Sequence, residues 1–181
     1  MKTKMKLLSV SLLSAAVFLS PLASAEKDGK KGKPVKNFDP DKVEMIHLDP
    51  AQALDSSGII SFASSGAWSD LVTNPNVYSA GSWVFGPLLE APSSTPGSSS
   101  VQNITFNWNI WNYRSDLITY LCESTLNTCA NVSGWFGGGV TVSAYNIPAN
   151  RSWRFIFGVP GSGSLSPTLY GQNGSVAITY Q

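Results

Sequence analysis

From Gly58 onward the chain alternates apolar and polar residues with a period of two. The clearest stretch is VQNITFNWNI, which puts Ile104, Phe106, Trp108 and Ile110 on one face and Thr105, Asn107 and Asn109 on the other. Side chains on a strand point to opposite faces in turn, so this pattern predicts a half-buried strand. Ile60 and Phe62 begin the same alternation, and the strand-like runs LITYLCES, VTVSAYNI, SWRFIFGV and SVAITYQ follow. The parity breaks at Trp111 and Tyr113, which predicts a bulge or strand switch near Ile110-Trp111. Turn residues separate the runs: Asn127-Thr128, Gly137 to Gly139, Pro148-Ala149-Asn150 and Asn173-Gly174, the last a strong hairpin signal. The Pro/Ser stretch from Ala91 to Ser100 reads as a loop within the domain, because the strands beside it need each other. No amphipathic helix of useful length appears in this region. The expected fold is all-β, a single antiparallel β-sandwich over 58–181.

The N-terminal part has a different character. Lys2, Lys4 and Lys6 precede a short apolar run from Leu7 to Leu22, and Ala23-Ser24-Ala25 supplies small residues for a peptidase. That is the pattern of a secretory signal peptide, residues 1–25, cleaved after Ala25. The apolar run falls short of the ~20 residues of a spanning helix, and no later run replaces it, so no membrane span is expected in the mature chain. Residues 26–57 are polar, Lys-rich and broken by Pro34, Pro40 and Pro50, which predicts a flexible, partly disordered leader. A short helical turn is expected over Asp49 to Leu54, with Asp49 as its cap and Pro50 at its first position.

Charge sharpens the picture. Five lysines crowd 27–36, yet after Lys42 the only cations are Arg114, Arg151 and Arg154, against seven carboxylates. A body with net charge −4 argues against nucleic acid as a partner. The two cysteines, Cys122 and Cys129, lie beyond the signal peptide and should pair in an oxidising compartment. Their spacing is too wide for a redox C-x-x-C motif and suits a short disulfide-bridged hairpin.

The residues exclude most catalytic and cofactor chemistry. RFIFGVPGSGSLSP runs from a strand into a glycine-rich loop, but Ser166 stands where a dinucleotide fingerprint needs glycine, and no lysine is present for a phosphate loop. Pro160, Gly161 and Gly163 therefore read as a turn, the glycines supplying positive φ and the proline ending the strand ladder. The only histidine, His47, sits in the leader, which leaves no catalytic triad and no metal site. The carboxylate pairs Asp116/Glu123 and Asp70/Glu90 read as strand-end charges rather than an acid-base couple. No catalytic residue and no cofactor is assigned. Of six tryptophans, Trp108 and Trp153 fall on apolar strand faces and are assigned to the core. Trp111, beyond the parity break, and Trp135-Phe136, before three glycines, are the candidate partner-binding residues.

These residues carry a resemblance. YLCESTLNTC, the string WRFIFGVPGSGSLSPTL and the closing SVAITYQ resemble the flagellar protein FlhE family, and Trp68 in GAWS is similar to a tryptophan near the start of the family domain. The resemblance runs from about Gly66 to Gln181 and implies a β-sandwich, with Cys122 and Cys129 disulfide-bonded. It implies a periplasmic accessory protein of flagellated bacteria, which supports flagellar export and assembly and keeps the export gate from leaking protons. Its partner would be a protein of the export or basal-body apparatus. No catalytic residues come with it. Two other readings of the residues stand beside it. One is a module binding cell-wall glycan through its aromatics and the amides of Asn103, Asn107 and Asn109. The other is a secreted effector or inhibitor, released from the cell.

Overall fold

The computed structural model describes residues 34–35, 38–47 and 66–181. The expected signal peptide, the helical turn over 49–54 and the alternation at Ile60 and Phe62 lie outside the described residues. Eleven strands are described: β1 Pro34–Val35, β2 Glu44–Ile46, β3 Gly66–Thr73, β4 Val77–Ala80, β5 Trp83–Phe85, β6 Val101–Trp111, β7 Ile118–Glu123, β8 Thr128–Asn131, β9 Gly137–Thr141, β10 Trp153–Gly158 and β11 Gly163–Tyr180. They form two sheets. The first has the order β1-β5-β10-β7-β8-β2, and the second β3-β11-β6-β9 with β4 alongside β11. All pairs are antiparallel except β2 with β8. The chain is thus an all-β sandwich, with one parallel pairing that the alternation did not reveal.

The core lies between the sheets. Ile104, Phe106, Trp108 and Ile110 of β6 face Trp153, Phe155 and Phe157 of β10, and all are buried. Trp108 and Trp153 are core residues. Because β6 has one solvated face, its burial alternates, whereas β7 and β10 are buried on both faces and read as continuous apolar runs. The outer faces of β5, β7, β8 and β10 carry a second, smaller cluster: Phe85, Tyr120, Cys122, Cys129 and Ile156, closed from outside by Phe38. Cys122 and Cys129 sit directly opposite each other across β7 and β8 and are disulfide-bonded.

Several turn signals resolve differently. Asn173-Gly174 makes no hairpin but lies within the long β11, where Gln172-Asn173 form a bulge opposite a single residue of β6. The glycines serve close approach instead: a Cβ on Gly171 would overlap the Asn74 carbonyl, and one on Gly174 would come 2.6 Å from the Asn74 side-chain oxygen. Gly137 to Gly139 are not a turn either. They form most of the edge strand β9, paired with Thr105 to Asn107. The parity break after Ile110 is no bulge in β6. Alternation holds to Trp111, and Asn112 at φ 60° ends the strand. A bulge does occur at the other end of β6, at Gln102, which separates the inward residues Val101 and Ile104 by three positions.

The segment read as a leader supplies structure in its described part. Asp39 caps a 3-10 turn over Pro40–Lys42, accepting a bond from the Asp41 amide, and the chain then enters β2. Phe38 and Ile46 are buried, one in each cluster. Val43 and Met45 pack beside them, against the outer cluster.

A candidate partner-binding surface

The residues singled out in the sequence fall into three settings. Trp111 ends β6 on the outer face of the second sheet and is 65 % exposed. Directly opposite on β11 is Tyr170, 41 % exposed, with ring centroids 5.8 Å apart. Phe136 is also exposed, but it packs elsewhere: its ring lies 5.0 Å from Trp108 and 4.9 Å from Tyr113, over the open end of the core. Trp135 is half-buried against the main core. The structure therefore splits the candidates into an outward ring pair, Trp111 with Tyr170, and an end plug, Phe136 with Tyr113. Tyr170 escaped the sequence reading because the bulge in β11 shifts its parity.

The second sheet carries a shallow concavity of about 470 Å³, lined by Ser69, Asp70, Leu71, Thr105, Asn107 and Ser175 among others. Asn103 is engaged within the sheet, its amide donating to the Thr179 hydroxyl at 3.4 Å and its oxygen accepting from Thr141 at 2.9 Å. Asn107 and Asn109 are exposed.

The titratable groups are occupied in holding the fold. Asp70 accepts from the amides of Leu71 and Glu90, tying β3 to the segment after β5. Glu123 is buried and accepts from the amides of Thr125 and Asn127, both at 2.9 Å, and from the Thr125 hydroxyl, so it braces the β7–β8 turn. Arg114 makes a two-pronged pair with Asp116 at 2.9 and 2.7 Å, which holds that carboxyl below the usual carboxylate range. None of these carboxylates is presented as an acid-base couple. His47 is exposed, its amide donating to the Tyr145 hydroxyl at 3.4 Å. Among the described residues no group of three or more potential ligands could hold a metal.

The glycine-rich loop joins β10 to β11, strand to strand, so no helix N-terminus is there to receive phosphate. Gly161 and Gly163 have φ of 101° and 93°. The Val159 carbonyl accepts from the Gly81 amide at 2.9 Å, fixing the loop to the β4–β5 turn. Beside it, Trp83, Ile118, Gly158 and Pro160 help line an apolar cleft of about 290 Å³.

Fold and surface together define a disulfide-bonded two-sheet sandwich with exposed aromatic rings and amides on its second sheet. The model of one family, "Flagellar protein FlhE", matches residues 74–181, and the chain belongs to that family. A solved structure, "Crystal Structure of FLHE", is similar at 24 % identity and a TM-score of 0.54, over 64 % of this chain and 96 % of that one, which supports the fold. No curated protein matches. Family membership makes this a flagellum-related protein. Among the described residues no helix is long and apolar enough to cross a membrane.

Proposed function

We propose that this chain is a periplasmic, non-enzymatic accessory protein of the flagellar system, exported by a signal peptide cleaved after Ala25. It acts by protein contact on the export or basal-body apparatus, supporting assembly and limiting proton leak. The family match over 74–181 carries this reading. The outward pair Trp111 and Tyr170 is the contact surface, since large rings left in water are the residues that most often anchor partners. Phe136 and Tyr113 extend it around the open end. Trp135, the third candidate, packs against the main core and contributes by holding the segment that carries Phe136.

The test is a strain lacking the gene, scored for swimming, swarming and cytoplasmic pH under acid stress, with and without the export genes. A defect that disappears when export is also absent fits the proposal. Unchanged motility and pH refute it. A second reading, binding of cell-wall glycan, is favoured by the exposed rings Trp111 and Tyr170 and the polar concavity on the same sheet, since rings stack on sugars and polar side chains bond hydroxyls. Pull-down on purified cell wall, competed by soluble sugar, distinguishes the two.

A further inference from the structure

Residues 34–35 and 38–47 lie along the first sheet, one part at each edge and one residue over its outer face. At one edge β1 pairs with β5, and at the other β2 pairs with β8. In between, Phe38 drops into an aromatic pocket, its ring centroid 5.2 Å from Trp83, 6.0 Å from Phe85 and 5.5 Å from Tyr120. Val43 and Met45 pack against the same cluster, and Ile46 is buried in the main core. The Glu44 amide donates to the Asn127 carbonyl at 2.8 Å, and Tyr145 bonds at 3.4 Å to Met45 and His47. The strap's ion pair, Lys42 with Asp39, is internal to it.

The body does not depend on this strap for its core. Of the main core cluster only Ile46 comes from the strap, and the family match begins well beyond it, at residue 74. The strap is also an imperfect occupant. Arg154 stands on the same outer face, its guanidinium 5.7 Å from the centre of the Phe85 ring, and its Nε is buried with no hydrogen-bond partner. A buried donor left unpaired is a standing cost, and a carboxylate brought to it would make a charge-assisted bond. The strap carries three acidic residues, but Asp39 is spent on its own turn and on Lys42, and Asp41 and Glu44 are exposed, with no bond to Arg154. Strand addition at an edge plus one pocketed side chain is a known mode of peptide recognition.

We propose that the outer face of the first sheet is a docking groove for an extended peptide with an aromatic anchor, and that residues 34–47 are its resident occupant, replaceable by a peptide that also supplies a carboxylate to Arg154. The ligand chemistry follows from the site: an aromatic residue for the Trp83–Phe85–Tyr120 pocket, a short run free to pair with the edge of β8, and an acidic side chain within reach of Arg154. This groove lies on the opposite sheet from Trp111 and Tyr170, and it stands or falls independently of the flagellar reading.

The probe is a fluorescein-labelled peptide of residues 34–47, read by fluorescence anisotropy against the full chain. Phe38→Ala empties the pocket while leaving the main core untouched. The labelled peptide should bind this variant at one saturable site and bind the unaltered chain at least about ten-fold more weakly, because the strap in place competes. The same peptide with alanine at the Phe38 position should not bind. A Phe38→Ala chain with native circular dichroism that fails to bind the peptide overturns the proposal. Should that variant not fold, a protease site inserted within 48–65 of the otherwise unaltered chain serves instead. After cleavage, exchange of the strap for labelled peptide under native conditions supports the groove, and release only on unfolding overturns it. A scan placing one glutamate along the peptide tests the Arg154 part. One position should bind about ten-fold tighter, with the gain lost in Arg154→Gln. No gain at any position removes Arg154 from the site.

Discussion

Truncating Trp111 separates a contact residue from a packing residue. Its side chain is 65 % exposed, so folding removes roughly a third of its area from water. A third of the ~250 Å² a tryptophan can bury, at ~25 cal/mol/Å², sets a ceiling of about 2 kcal/mol. Compaction of the unfolded chain trims this by roughly 10–40 %, and the retained Cβ trims it further, leaving about 1 kcal/mol. The cross-strand contact with Tyr170 lies within that figure, since such pairs contribute ~0.2–1 kcal/mol. Trp135, half-buried against the core, should cost about 2–3 kcal/mol when cut to alanine. Urea denaturation of both variants measures the stability term, and site-specific photo-crosslinking from neighbouring Tyr170 in flagellated cells measures capture. Trp111→Ala should keep its denaturation midpoint near that of the unaltered protein and lose capture about ten-fold or more. If Trp111→Ala costs more than about 2 kcal/mol, the ring pair is structural and the surface assignment fails. If Trp135→Ala proves neutral, its assignment to the packing side is wrong.

Three further outcomes follow from the geometry. Glu123→Ala strips the β7–β8 turn of an acceptor for two backbone amides and a hydroxyl, and should cost about 2–4 kcal/mol by denaturant unfolding; a loss under about 1 kcal/mol would mean water replaces it freely. Cys122→Ser with Cys129→Ser removes a crosslink that closes an eight-residue loop, and by chain entropy should cost about 2.5 kcal/mol; an unchanged midpoint would show that the paired strands alone hold the hairpin. Asp116 is held below the usual carboxylate range by Arg114, so the pair's contribution is full above the unfolded value near ~4 and is lost as pH falls through the folded one. The denaturation midpoints of the unaltered protein and Arg114→Gln should therefore converge on acidification from about pH 5 to pH 2, and a gap that persists at pH 2 refutes the pairing as its cause.

The strands were legible where one face meets water. In β6 the alternation from Ile104 to Ile110 maps onto burial residue by residue. In β7 and β10 the continuous apolar runs were legible as strands, but not the reason for them, a second cover on the outer face. Glycine misled twice, because its permissiveness serves both turns and close approach. Gly174 clears the Asn74 side chain and Gly137 to Gly139 build an edge, and neither role leaves a local mark in sequence. The exposed ring pair was half legible. Trp111 stood out by its parity, whereas Tyr170 becomes its neighbour only through a bulge in the partner strand.

The strap was the least legible part, and the physics of the docked chain says why. Lys and Pro set the composition of 26–47, and composition reads as disorder. The side chains that dock, Phe38, Val43, Met45 and Ile46, share no single helix or strand period. Their complement is elsewhere: Trp83, Phe85 and Tyr120 point outward from strands whose other faces build the core. A sandwich whose outer face carries three aromatic rings exposes a patch that a monomer seldom leaves bare. Something has to cover it, and in this chain the cover is the segment carrying Phe38, held by pairing at the two sheet edges. That segment is the element a competing peptide can displace.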